Sequence, residues 1–198
     1  FICDSAYHYS VSSLTLAEAN NNIFWINESK LQLASILTIS GMYAESVELM
    51  QSIDTKSLNK AQTKDYYGNY YRVYNEWAEY SEYDYSTHYK EIAQRYRELF
   101  LKELEPETFD YALEYSWKYI DAREYIKAKE TLLEYLLKIE DNSTREYAIL
   151  TSTIAIVYWY LENIEVHKEY LALSAIADIK ASVKENTALR ILAKLLFD

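Results

Sequence analysis

Glycine and proline are nearly missing from this sequence, at 2 and 1 in 198 residues. Average proteins carry about 7% and 5% of them. Both punctuate strands and loops, so a chain this poor in them builds from long uninterrupted helices. With glycine only at Gly41 and Gly68, no phosphate-cradling G-x-x-x-x-G-K or G-x-G-x-x-G loop can be written. The G-x-S-x-G nucleophile elbow fails for the same reason. The lone Cys3 forms no internal disulfide and leaves the redox compartment open. His8, His88 and His167 lie far apart, and none has the H-E-x-x-H spacing that puts two zinc ligands on one helix face. The expectation is a protein that is no enzyme and holds no cofactor or metal. An enzyme reading would need a buried carboxylate pair facing a closed pocket.

Positive charge is also scarce. Lys and Arg number 20 against 31 Asp and Glu, a net charge of −11, and residues 1–29 contain no cation at all. Phosphate backbones reward clustered Lys and Arg through counterion release, so no nucleic-acid contact is expected from this segment. The acidity reads as solubility, with weak steering toward cationic partners. No run spans a membrane: the longest uncharged stretch, 147–161, is 15 residues, short of the roughly 20 a bilayer helix needs. It also contains Thr151, Ser152 and Thr153. The opening Phe1-Ile2-Cys3-Asp4 has neither an initiator methionine nor a basic signal-peptide start.

What is present is helical core in repeated form. Hydrophobic residues make up 50% of the chain, and 22 tyrosines supply aromatic area with a hydroxyl attached. An apolar–small–x–x–apolar pattern recurs at Leu33-Ala34…Leu37, Tyr115-Ser116…Tyr119, Ile154-Ala155…Tyr158 and Leu192-Ala193…Leu196. The last three copies follow at about forty residues, and the first gap is close to two periods, so one more copy belongs inside it. A helical period of this length means stacked hairpins. The chain reads as helix over 4–19, hairpins of 26–40 with 44–53, 61–80 with 88–104, 108–122 with 126–140 and 146–161 with 166–182, and a last helix over 186–197. Pro106 is expected in the first turn of its helix. Both ends fall mid-hairpin, so the expectation is one domain over 1–198, an excised segment of a longer protein with partial repeats at its ends.

The missing copy lies around Tyr70. Projected at 100° per residue, Tyr67, Tyr70, Tyr71, Tyr74, Trp77 and Ala78 fall within an arc of about 140°. This face is either a stacking platform for sugars or bases, or the core between helices; the interhelical core is the better reading. Tyr71 stands where other copies carry Ala or Ser, so the helices there should be splayed or shifted.

The pattern Leu33-Ala34-x-x-Leu37-x-x-x-Gly41-x-Tyr43-x-x-Ser46-x-x-x-Met50 resembles the tetratricopeptide repeat (TPR). It recurs in Tyr115-Ser116-x-x-Tyr119 with Tyr125-x-x-Ala128-x-x-x-Leu132, where Arg123 replaces the turn glycine. In the fourth copy Glu162 replaces that glycine and His167 takes a place usually held by alanine. The resemblance implies an all-α, TPR-like α-α superhelix, a right-handed solenoid of antiparallel hairpins, here with a period of about 38–45 residues. Residues 27–34 and 170–180 are further similar to a Bacteroidales family of membrane-tethered TPR regulatory proteins. That likeness implies a periplasmic sensor ectodomain of an inner-membrane transcriptional or signalling regulator, tethered through a later segment; the alternative is cytoplasmic.

In repeats of this kind the first helix of each hairpin lines the concave side. Projection leaves Arg72, Asn75, Glu76, Trp117, Asp121, Ser152, Trp159, Tyr160, Arg190 and Lys194 there. Tryptophans beside mixed charges suit an extended peptide, since Trp and Arg are enriched in binding hot spots. Trp117 and Trp159 serve equally well as packing between hairpins. The partner class is protein or peptide, and the second reading is a structural scaffold that self-associates as a homo-oligomer. Glu79, Glu82 and Asp84, and the stretch Asp141-Asn142-Ser143-Thr144, read as a solvated acidic turn and a helix cap rather than cation sites. Asn27-Glu28-Ser29 and Asn142-Ser143-Thr144 are glycosylation sequons.

Overall fold

Side-chain oxygens ahead of apolar runs set where the helices begin. Asn22, Thr108 and Thr144 accept hydrogen bonds from the amides of Trp25, Tyr111 and Tyr147. Asn59 and Gln62 form a reciprocal capping box. Each cap satisfies an amide that the helix itself leaves unpaired and contributes about 1 kcal/mol. The computed structural model describes residues 2–185. The helix read over 186–197, with its Leu192–Leu196 copy, Arg190 and Lys194, lies outside the described residues.

Among the described residues there are nine α-helices and no strand. They fall into two compact units that divide after Leu104. The first contains α1 (Ile2–Ala19), α2 (Ile23–Ile39), α3 (Tyr43–Gln51), α4 (Lys60–Glu79) and α5 (Tyr83–Glu103). The second contains α6 (Phe109–Asp121), α7 (Tyr125–Leu136), α8 (Arg145–Tyr160) and α9 (Ile164–Glu185). This is the all-α hairpin architecture expected from the repeat.

Several boundaries differ from the sequence reading; helix α2, for one, begins at Ile23, three residues early, behind the Asn22 cap. Helix α5 begins at Tyr83, five residues early, because extended Glu82 starts it and Asp84 complements its N-terminal dipole. Helix α7 ends at Leu136, and Ile139 turns back to pack on the core. Pro106 lies ahead of α6, not in its first turn; Thr108 is the cap. The segment from Glu105 to Thr108 closes by a Thr108 N–H to Glu105 carbonyl bond, with Glu107 at φ +69°, the pattern of a type II turn with proline second.

Four hairpin corners share one backbone. Asn21, Gly41, Arg123 and Glu162 have φ of 49°, 78°, 60° and 57°. In each corner the left-handed residue bonds a carbonyl three residues back, and the next residue bonds one five back. At the second corner these are Gly41 N to Thr38 O and Met42 N to Leu37 O, at 3.0 and 2.9 Å. This double bond ends a helix around a left-handed residue, a place glycine fills without strain. Arg123 and Glu162 therefore keep the turn that their identity disfavours.

The small-residue positions are where helices of a hairpin meet. The Ser46 hydroxyl donates to the Ala34 carbonyl at 2.9 Å, and Ser116 donates across its hairpin to Ala128 at 3.4 Å. In the fourth copy Nδ1 of His167 lies 2.8 Å from the Ala155 oxygen. Ala34, Ser46, Ser116, Ala128 and Ala155 are fully buried, so the imidazole joins its helix pair through a hydrogen bond where alanine would join it by contact. On α4 a close approach lies at Gly68, where a Cβ would stand 3.2 Å from the Phe100 ring.

Two separate cores result. In the first unit Ala34, Val47, Met50, Tyr70 and Val73 pack together, flanked by Tyr66, Tyr74, Trp77 and Tyr96. In the second, Ile120, Ala128, Leu132, Leu150, Ile154 and Val157 do so. Each large apolar side chain contributes about 1.5–3 kcal/mol by leaving water. Helices α2 and α4 are further tied by Gln62 Nε2 to the Phe24 carbonyl and Asn69 Nδ2 to the Leu31 carbonyl, at 3.0 and 2.9 Å. Both bonds span 38 residues, one repeat.

Candidate functional site

The aromatic face of α4 is the core between α4 and α5. Tyr70 is 3% exposed and stacks on Tyr96 at 4.3 Å with planes 9° apart. The stack runs on through Tyr74, Trp77 and Tyr89. Burial pushes the hydroxyls of Tyr70, Tyr74 and Tyr96 upward from the usual tyrosine range, with neighbouring tyrosines adding to it. Tyr71 instead receives the buried Arg97 guanidinium over its ring, 5.5 Å from the centroid.

The stack comes to the surface at one end, through Tyr43. Its ring lies 6.0 Å from Trp77 and 6.3 Å from Tyr80, and Tyr80 is 78% exposed. Beside them opens a cleft of about 570 Å³ in the first unit. Its walls are the α2–α3 corner from Thr38 to Gly41, Tyr43, and Arg72, Glu76 and Tyr80 along α4. Arg72 and Glu76 are one helical turn apart and exposed. Burial raises the Tyr43 hydroxyl above its ordinary value, with the Glu76 carboxylate second. The cleft therefore offers one cation, one anion, aromatic rings and the C-terminal end of α2.

Arg72 and Glu76 thus share a cleft, while Asn75 is exposed on the same helix and does not line it. In the second unit the projected residues are dispersed. Trp117 is half-buried and packs on the core, and Asp121 is exposed at the end of α6. The Ser152 hydroxyl donates to the Ile149 carbonyl of its own helix. Trp159 and Tyr160 are both exposed; Trp159 meets His167 at 5.3 Å, and Tyr160 stacks on Tyr125 at 4.9 Å with planes 3° apart. Gly41 and Tyr43 escape the projection because it followed first helices alone, and Thr38, Ile39, Ser40 and Tyr80 because they stand at the ends of those helices. The turn pattern Gly41-x-Tyr43 marks their position.

Asn27 is 2% exposed, and its amide donates to Ser57, so the first sequon is closed in the fold. Glu79, Glu82 and Asp84 are exposed, with Glu79 3.9 Å from Lys90. Among the described residues no three His, Cys, Asp or Glu side chains are grouped to hold a metal ion. No helix among them is long and apolar enough to cross a membrane.

Comparison with known proteins yields one family. The model described as the SusR N-terminal TPR domain matches residues 1–198. No curated protein and no solved structure matches the chain.

Proposed function

The chain belongs to the family of SusR N-terminal TPR domains, and on that premise we propose that it is a non-catalytic module that binds protein or peptide as the sensor part of a membrane-tethered bacterial regulator. The observation that carries the reading is the cleft where Arg72 and Glu76 meet the exposed end of the tyrosine stack. Open, mixed-charge surface with aromatic anchors is what peptide recognition uses. The family is one of N-terminal TPR domains, which supports a sensing region ahead of an anchor and an output part. In this reading the domain is a periplasmic ectodomain and makes no nucleic-acid contact.

The intact protein in its cell tests both halves. Protease admitted through a permeabilised outer membrane should remove residues 1–198. Protection until the inner membrane is lysed would place the domain in the cytoplasm and overturn the ectodomain reading. Deleting the domain should abolish the regulated response; an unchanged response would end the sensor assignment.

Self-association is the second reading. It draws on Ile23, Phe24 and Trp25, which stand 55%, 42% and 53% exposed at the start of α2. Contiguous apolar exposure of this kind marks contact surfaces. Light scattering across a concentration series decides it, since a monomer at every concentration counts against assembly.

A further inference from the structure

We propose that the cleft between the α2–α3 corner and α4 takes a peptide segment in which a basic side chain lies beside an acidic one. The inference rests on the peptide-binding reading and names what this one site selects. A volume of about 570 Å³ lies within the range of ligand clefts, and it is large enough for a pair of side chains.

The charges of the walls choose the pair. Helix α2 ends at Ile39 and helix α4 at Glu79, and residues of both ends line the cleft. The C-terminal end of a helix carries partial negative charge and favours a cation. Glu76 adds a full negative charge from the same wall. The exposed Tyr80 ring, stacked at 22° on Tyr43, offers a face to a guanidinium or ammonium group. The chain's net charge of −11 draws a basic group toward it.

Among the described residues Arg72 is the one cation of the lining, and it decides against a purely basic ligand. A lone basic group would face Arg72 as a like charge. A lone acidic group would face Glu76 and two helix C-termini. A basic and an acidic side chain together satisfy every charged element, with the carboxylate on Arg72 in the paired geometry that guanidinium favours.

The test uses the 198-residue chain and capped four-residue peptides whose central pair is arginine–glutamate, arginine–glutamine, glutamine–glutamate or glutamine–glutamine. Amide shifts of Thr38, Ser40, Gly41 and the end of α4 should respond, and the arginine–glutamate peptide should bind about fivefold tighter than either single-charge peptide. In Glu76→Gln the advantage of the arginine–glutamate over the glutamine–glutamate peptide should shrink; in Arg72→Gln the arginine–glutamate peptide should bind no tighter than the arginine–glutamine one. Both positions are exposed, and circular dichroism verifies the fold of each variant. Equal binding of all four peptides at this cleft would overturn the charge-pair inference while leaving peptide binding intact. Shifts confined to another surface would overturn it too, and no binding of any peptide would remove both readings. Free arginine or glutamate shifting the same amides as strongly as the peptides would show an amino-acid site and overturn the proposal.

Discussion

Nδ1 of His167 lies 2.8 Å from the carbonyl oxygen of Ala155 across the α8–α9 hairpin. A carbonyl only accepts, so Nδ1 carries the proton, and in the neutral ring Nε2 is left as the acceptor. Ser46 makes the corresponding bond to Ala34 in the first unit. Removing the donor by His167→Ala or Ser46→Ala should destabilise the respective unit by about 1–2 kcal/mol. Urea unfolding followed by circular dichroism measures this. An unchanged midpoint in both variants would show that contact alone joins these helices.

The left-handed corners give opposite signs for glycine. Arg123 and Glu162 sit at φ 60° and 57°, where a side chain is strained. Arg123→Gly and Glu162→Gly should each stabilise the second unit by about 0.5–1 kcal/mol, the relief of strain exceeding the entropy that glycine costs. Gly41→Ala should cost about 1 kcal/mol, and the cause is backbone alone, since nothing stands within 4 Å of an added Cβ there. Thermal midpoints for the three variants decide the matter.

Packing at Gly68 is a separate case. Its Cβ would meet the Phe100 ring at 3.2 Å, so bulk rather than backbone is the obstacle. Gly68→Val should destabilise the first unit by about 1–3 kcal/mol through overpacking. A smaller ring at the neighbour, in Phe100→Leu, should recover part of that loss. A double mutant no better than Gly68→Val alone would contradict the close approach.

How much of this was legible in the sequence follows from where each signal lay. The hairpins could be read because apolar and small residues repeat at helical spacing, and the cap at Asp141-Asn142-Ser143-Thr144 because oxygen stands there ahead of an apolar run. The start of α5 could not, because Tyr83-Asp84-Tyr85 is polar and exposed and resembles a turn in composition while its backbone remains helical. The cleft was half legible. Arg72 and Glu76 follow from projecting one helix, whereas the α2–α3 corner enters only through packing of α2 against α4. Trp117 and Trp159 look alike in sequence, yet one lies on the core and the other is 55% exposed.

The tyrosine stack predicts a response to alkali. Burial holds the hydroxyls of Tyr70, Tyr74 and Tyr96 in the protonated form above their ordinary pH range. Above about pH 10 the unfolded chain releases these protons and the folded chain retains them, so stability present below that pH is lost as it rises. Ultraviolet titration should show a group of tyrosines ionising only together with loss of helix. All 22 tyrosines titrating smoothly in a folded chain would contradict this.

The amide bonds from Gln62 to Phe24 and from Asn69 to Leu31 have a consequence for how this domain can change over time. Each side chain reaches back one repeat to a main-chain oxygen, so its partner is defined by position along the chain and not by side-chain identity. Phe24 and Leu31 are therefore free to be replaced without losing the bond. A residue inserted between Ile53 and Asn59 is another matter, for it would displace α4 as a whole and break both bonds together. The connection between these hairpins should reject changes of length, and accept substitution except where Ser57 meets Asn27 and Asn59 caps α4.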